Sequence, residues 1–149
     1  MNYLCLDIGG TSVKYGVADE KRSLLLKGEI TNEITQKGVK SFVESLVTLA
    51  ERYRQEYDLQ GIAVSTAGVV DPERGVVLYA PKYFPGYPGT HLQELLEAHT
   101  GLPCTVENDV NAAALGEYWF LPRKQAVLGM GRLGTEIRAA GASAVLSLC

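Results

Sequence analysis

The chain is poor in the residues that build disulfide frameworks and metal clusters. It has three cysteines, two methionines and two histidines in 149 residues. Cys5, Cys104 and Cys149 are scattered and form no C-x-x-C pair. That count fits reduced thiols of a cytoplasmic protein better than disulfides or a zinc site. His91 and His99 are eight positions apart, not the adjacent-turn spacing of a metal pair, so no metal site is expected and a surface role is assigned to both. No apolar run approaches the roughly 20 residues that span a bilayer. The start, MNYLCLDIGGT, lacks a basic stretch leading into an apolar one, so neither membrane insertion nor secretion is expected. An excess of positive charge is missing too. Lys and Arg number 14 against 17 Asp and Glu, a net charge of −3, which argues against nucleic acid or an anionic surface as partner. What is present suits a globular domain: 46% apolar and 21% charged residues, enough for a core and too apolar for disorder.

The order of patterns along the chain implies an α/β fold. YLCLDIGG reads as a buried strand ending at a tight turn, TSVKYGVAD alternates as a second strand, and SLLLKGEIT gives a third. Short junctions between them imply an antiparallel meander. In residues 39–57 the apolar positions Val39, Phe42, Val43, Leu46, Ala50, Tyr53 and Tyr57 recur at spacings of three and four. This predicts an amphipathic helix with Lys40, Glu44, Glu51 and Arg54 outward. Residues 59–65 read as a second buried strand, followed by the loop TAGVVDPERGVV. APKYFPGYPGT reads as an ordered loop. Thr90 with Gln93 predicts a capping box for a helix that Gly101 ends. PCTVEN is a short strand and DVNAAALGEYWF a helix. The order β-β-β-α-β-α-β-α predicts a mixed sheet of five strands, antiparallel at one edge and parallel at the other, flanked by helices. Residues 121–149 show no clear period, so the domain is placed at 1–120 with an atypical tail.

Three constellations carry candidate chemistry. Asp7-Ile8-Gly9-Gly10-Thr11 sits at a strand–turn–strand junction, where consecutive N–H groups can form a phosphate nest and Asp7 can hold a metal-bound water. Lys14 is expected opposite the core, within reach of a nucleotide. An ordinary hairpin turn explains Gly9-Gly10 equally well. Glu107-Asn108-Asp109-Val110-Asn111 lies where a strand meets a helix. Capping accounts for one polar residue there, but not for four at a strand's C-terminal edge, where open α/β sheets bind ligands. A carboxylate at that edge can accept a hydroxyl proton, and a neighbouring amide can fix a polyol. In Ser65 to Asp71, Gly68 permits close approach to a ligand, although an ordinary turn suffices for that segment taken alone.

Together, LDIGGTSVKYGV, STAGVVDPERG and VENDVNAAALGE resemble the N-terminal half of the ROK family of repressors and sugar kinases. The loop FPGYPGTHLQELLEAHTGLPC falls where that family has a Gly-aromatic-Gly segment, and the pairing of STAGVVDPE with GYPGT is similar to the β-glucoside kinase-like branch. The resemblance runs from residue 2 to about 120 and implies an actin-like, RNase H-like domain. It implies that Asp109 is the general base toward a sugar hydroxyl attacking the γ-phosphate of ATP, and that Asn108 and Gly68 hold the sugar with it. By the same resemblance Gly9, Gly10 and Thr11 cradle phosphate, and Asp7 lies near Mg²⁺. The partners implied are a hexose or β-glucoside and ATP, and a homo-oligomer is left open.

The pattern breaks after Phe120. The family's second Gly-rich phosphate motif, adenosine site, Glu-x-Gly-His segment and His/Cys zinc site have no counterpart, and GMGRLGT is only a faint likeness of a phosphate loop. The tail is therefore read as a truncated or frame-shifted continuation, and the chain is expected to have the base but little or no kinase activity. Two other readings compete. A ROK transcriptional regulator would carry a helix-turn-helix segment before the first motif, where only six residues precede Asp7. A non-catalytic sugar-binding module would use Asn108 and Gly68 without ATP.

Overall fold

The computed structural model describes residues 1–21 and 23–120. The meander consists of β1 (Asn2–Ile8), β2 (Ser12–Asp19) and β3 (Leu24–Thr31). Helix α1 (Ile34–Arg54), strand β4 (Leu59–Thr66), a hairpin of β5 (Val69–Asp71) and β6 (Val76–Tyr79), α2 (Leu92–Thr100), β7 (Cys104–Asn108) and α3 (Asp109–Phe120) follow. The main sheet runs β3-β2-β1-β4-β7. β1 pairs antiparallel with β2 and parallel with β4, which pairs parallel with β7. This is the five-stranded mixed sheet of the actin-like layout, as expected. The central position of β1 explains its unbroken apolar run, because both of its faces are covered. Edge strand β3 instead alternates half-buried and exposed residues along its whole length.

The larger core lies between one face of the sheet and the helices α1 and α2. Register places Val17, Leu4, Ile62 and Cys104 in one row across that face, with Tyr15, Leu6, Val64 and Val106 in the next. Phe42, Val43, Leu46, Leu49, Ala50 and Tyr53 of α1 pack on them. The stripe read from the sequence matches these, with Leu49 added and with Val39 and Tyr57 only partly buried. Lys40, Glu44, Glu51 and Arg54 are exposed, as expected. Gly38 breaks the first turn of α1 with φ 80°, ψ 171°, so the regular helix starts where the periodicity does. The opposite face buries Tyr3, Cys5, Ala18 and Ala63. Cys5 and Cys104 are core residues, and burial pushes the Cys5 thiol up to about 12.

Two local expectations fail for stated reasons. The loop after β4 is a hairpin: Asp71 Oδ1 accepts the Glu73 and Arg74 N–H groups at 3.1 and 3.3 Å, so DPERG is a turn between two short strands. The capping box at Thr90 does not form. The cap position is His91, without a side-chain bond, because the Gln93 N–H that Thr90 would cap donates to the Gly75 carbonyl at 3.2 Å. His91 therefore precedes the helix, where it pairs with Glu94 at 3.4 Å, and both histidines are exposed. Gly101 ends α2 in the left-handed conformation, as expected. The tail 121–149 lies outside the described residues.

Candidate functional site

The chemistry-bearing residues meet at the C-terminal ends of β1, β4 and β7. Register places Lys14, Asp7, Ser65 and Glu107 side by side on four adjacent strands, one row beyond the apolar row that contains Cys5 and Ala63. Side-chain alternation puts this polar row on the face opposite the α1/α2 core. A single polar row at the open end of an otherwise buried face is the position where α/β sheets bind ligands.

Asp7 is half-buried, and its pKa is raised above the ordinary carboxylate value of 3.8. Burial is the largest cause, and the Asp109 carboxylate pushes in the same direction. The Ser65 hydroxyl and the Lys14 ammonium act against both. Ser65 Oγ is buried facing Asp7 without closing a hydrogen bond of ordinary length, so its influence on the carboxylate is that of a nearby dipole. Asp7 and Asp109, eight dozen or more residues apart in sequence, are thus within each other's field. Among the described residues no group of three or more His, Cys, Asp or Glu gathers as a metal cluster.

Asn108 is the hub of the second half of the site. Its Oδ1 accepts the N–H groups of Val110 at 2.9 Å and Asn111 at 3.2 Å, which makes it the N-cap of α3. Its Nδ2 donates to the Gly68 carbonyl. Capping and ligand placement are therefore not alternatives here: the cap oxygen fixes the amide, and the amide nitrogen pins the loop. Asp109 opens α3, where the helix N-terminus favours its negative charge. Glu107 accepts the Asn111 Nδ2 at 3.1 Å, holding that side chain at the same edge.

Gly68 has φ +109°, and a Cβ there would lie 2.2 Å from the Tyr79 carbonyl oxygen. The absence of a side chain is required first by the hairpin folding back on the loop. Gly10 differs: its φ is not positive, and an added Cβ would meet only the exposed Tyr83 ring, at 2.6 Å, a side chain that can turn aside. Of the three aromatic residues in the APKYFPGY loop, Phe84 and Tyr87 are buried, with Tyr87 OH and Thr66 Oγ1 3.1 Å apart. Tyr83 alone stays exposed, flanking the Gly9–Thr11 turn.

The structure thus brings Asp7, Lys14, Gly68, Asn108 and Asp109 to one sheet edge, with Gly9, Gly10 and Thr11 on the turn that leaves β1 there. It adds Asn32, which sequence reasoning passed over. Asn32 is buried, and its Nδ2 donates to the Gly9 carbonyl at 2.7 Å. Its only sequence signal is an asparagine between an alternating strand and a helix.

Comparison with known proteins agrees with this fold. The chain is 35% identical to a glucokinase of Streptomyces coelicolor, over 77% of its own length and 35% of the relative's. It is 37% identical to a β-glucoside kinase of Listeria innocua, over 80% and 38%. It therefore spans little more than a third of the curated relatives it matches. Among solved structures, a ROK family glucokinase from Streptomyces griseus in complex with glucose and AMPPNP matches with a TM-score of 0.69 at 32% identity, over 79% of this chain and 36% of that one. A ROK family transcriptional regulator, a homologue of an E. coli protein, matches with a TM-score of 0.69 at 27% identity, over 80% and 30%. The ROK family model matches residues 3–130, and the chain belongs to the ROK family.

Proposed function

We propose that these residues form the sugar-and-phosphate half of a sugar kinase site, in which a hexose or β-glucoside hydroxyl attacks the γ-phosphate of ATP. The observation that carries this reading is the convergence of Asp109 and the Asn108–Gly68 pair with Asp7, Lys14 and the Gly9–Thr11 turn at one sheet edge. One end offers a carboxylate beside an amide-pinned loop, which suits a polyol. The other offers backbone amides and an ammonium, which suit phosphate.

In this reading Asp109 accepts the proton of the attacking hydroxyl, and the sugar is oriented at the Gly68 loop that Asn108 fixes. Lys14 offsets phosphate charge. Asp7, destabilised as an anion by burial and by Asp109, gains from a cation placed beside it. With Asp109 kept as the base, Asp7 alone is too little for an all-protein cage, but it fits Mg²⁺, which binds one or two carboxylates plus substrate phosphates and keeps its waters. Bound there, Mg²⁺ would neutralise charge on the phosphates of ATP. ATP as donor fits a cytoplasmic location, and among the described residues no helix is long and apolar enough to cross a membrane.

Phosphoryl transfer also needs water excluded from a closed cleft. The described residues offer one wall of it, so low turnover is expected of this stretch assayed by itself. A coupled assay with ATP, Mg²⁺ and a panel of hexoses and β-glucosides tests the proposal, with Asp109→Asn as control. Turnover abolished by that substitution supports it. Sugar binding that nucleotide never influences would favour a non-catalytic sugar-binding module instead.

A further inference from the structure

Asn32 lies outside every motif that marks the site, between the end of β3 and the start of α1. It is 5% exposed and makes three hydrogen bonds. Its Nδ2 donates to the Gly9 carbonyl at 2.7 Å, its backbone N–H donates to the Thr11 carbonyl at 2.9 Å, and its Oδ1 accepts the Ile34 N–H at 3.0 Å. One buried residue thus ties both ends of the Gly9–Thr11 turn to the first turn of α1. The Gly9 N–H donates to the Ser12 carbonyl at 3.0 Å and closes the turn. The N–H groups of Gly10 and Thr11 have no partner among the described residues.

That division of donors and acceptors matters for an anion. Phosphate accepts hydrogen bonds, so a carbonyl oxygen turned toward it repels it, while a free amide attracts it. The Gly9 carbonyl and the Gly10 N–H belong to one peptide group. Among the described residues there are no cis peptides, and in a trans peptide the two point in opposite directions. Holding the Gly9 carbonyl inward therefore aims the Gly10 N–H outward.

We infer that Asn32 is a positioning residue that orients the Gly9–Gly10 peptide for phosphate binding without touching the ligand itself. The inference rests on the sugar kinase reading only for the identity of the anion, the phosphate chain of ATP.

The test compares the full chain with Asn32→Ser and Asn32→Ala. Serine keeps an acceptor for the Ile34 N–H and stays uncharged, but cannot reach the Gly9 carbonyl. The Gly10 amide resonance is followed by ¹⁵N NMR, and Mg²⁺–AMPPNP is titrated. With Asn32→Ser the Gly10 amide is expected to shift and lose its single sharp position. Affinity for Mg²⁺–AMPPNP is expected to fall about tenfold. Exchange protection at Ile34 and glucose-induced shifts at Gly68 are expected to stay as in the parent, which separates this effect from unfolding. Asn32→Ala is expected to lose the Ile34 protection as well. A Gly10 resonance or a nucleotide affinity unchanged in Asn32→Ser overturns the inference. If the parent chain binds no nucleotide, the Gly10 resonance with tripolyphosphate as probe decides the role of Asn32 by itself, and the kinase reading stands or falls separately on the coupled assay with Asp109→Asn.

Discussion

Replacing Gly68 by alanine tests how the loop and the hairpin are joined. At φ +109° a side chain is strained in any surroundings, at about 1–2 kcal/mol. Here the surroundings also resist. The new Cβ would lie 2.2 Å from the Tyr79 carbonyl oxygen and 3.2 Å from the Ala80 Cα, both backbone atoms that cannot swing aside. Relief requires β6 to move away from the loop or the loop to move away from β7. The second movement breaks the Asn108–Gly68 hydrogen bond, whose loss removes about 0.5–1.5 kcal/mol. The sum is about 1.5–3.5 kcal/mol. Gly89→Ala is the matched control, since Gly89 has φ +86° and nothing within 4 Å of an added Cβ, so only the conformational strain of about 1–2 kcal/mol applies. Urea unfolding of both variants at one pH gives the comparison through their midpoints and slopes. Equal destabilisation by the two substitutions would refute the argument that backbone crowding, rather than φ alone, requires glycine at 68.

Three further outcomes follow from the same contacts. Because the folded-state pKa of Asp7 is raised, the folded protein holds the Asp7 proton to higher pH than the unfolded chain does. Asp7 then lowers stability as pH rises from about the ordinary value of 3.8 through its raised pKa. Asp7→Asn should therefore stabilise the chain at pH 7 and have little effect at pH 3, read as melting temperature against pH; a gain of the same size at both pH values contradicts this. Asn108→Asp keeps the acceptor that caps α3 but loses the donor to Gly68, whereas Asn108→Ala loses both. The alanine variant should lose about 1 kcal/mol more helix stability in urea unfolding, while both weaken sugar binding in calorimetry. Tyr87→Phe removes the buried contact with Thr66 Oγ1 at 3.1 Å and should destabilise by about 1–2 kcal/mol; urea midpoints equal to the parent's would show that the hydroxyl pair contributes nothing.

What could be read from the sequence follows the range of the interactions involved. The five main strands and three helices are legible because burial imposes a period: alternation in β3, a continuous apolar run in β1, spacings of three and four in α1. The β5–β6 hairpin was missed because strands of three and four residues are too short to show a period, and Asp71-Pro72 with Gly75 signals only a turn. The capping box at Thr90 failed because a long-range backbone bond from Gln93 to Gly75 took the donor that a local cap would use. For the site, Asp7, Gly68, Asn108 and Asp109 were joined by the family resemblance of their three motifs, while the residues alone left an ordinary turn open at Gly68. Local patterns could not show their union, since parallel pairing of β1, β4 and β7 aligns residues far apart in sequence. Asn32 was invisible for a related reason. Its function lies in bonding to carbonyls more than 20 positions away, and no local pattern encodes that.

The account is tested most directly by mapping two ligands onto the chain by ¹⁵N NMR: glucose or a β-glucoside first, then Mg²⁺–AMPPNP. The expected result is a pair of separate footprints. The sugar should shift the amides of Gly68, Asn108 and Asp109, and the nucleotide those of Gly9, Gly10, Thr11 and Lys14. Shifts from either ligand centred elsewhere, such as the groove between α1 and α2 lined by Val43, Val47 and Leu95, would contradict it. So would a sugar footprint that survives intact in Asn108→Ala.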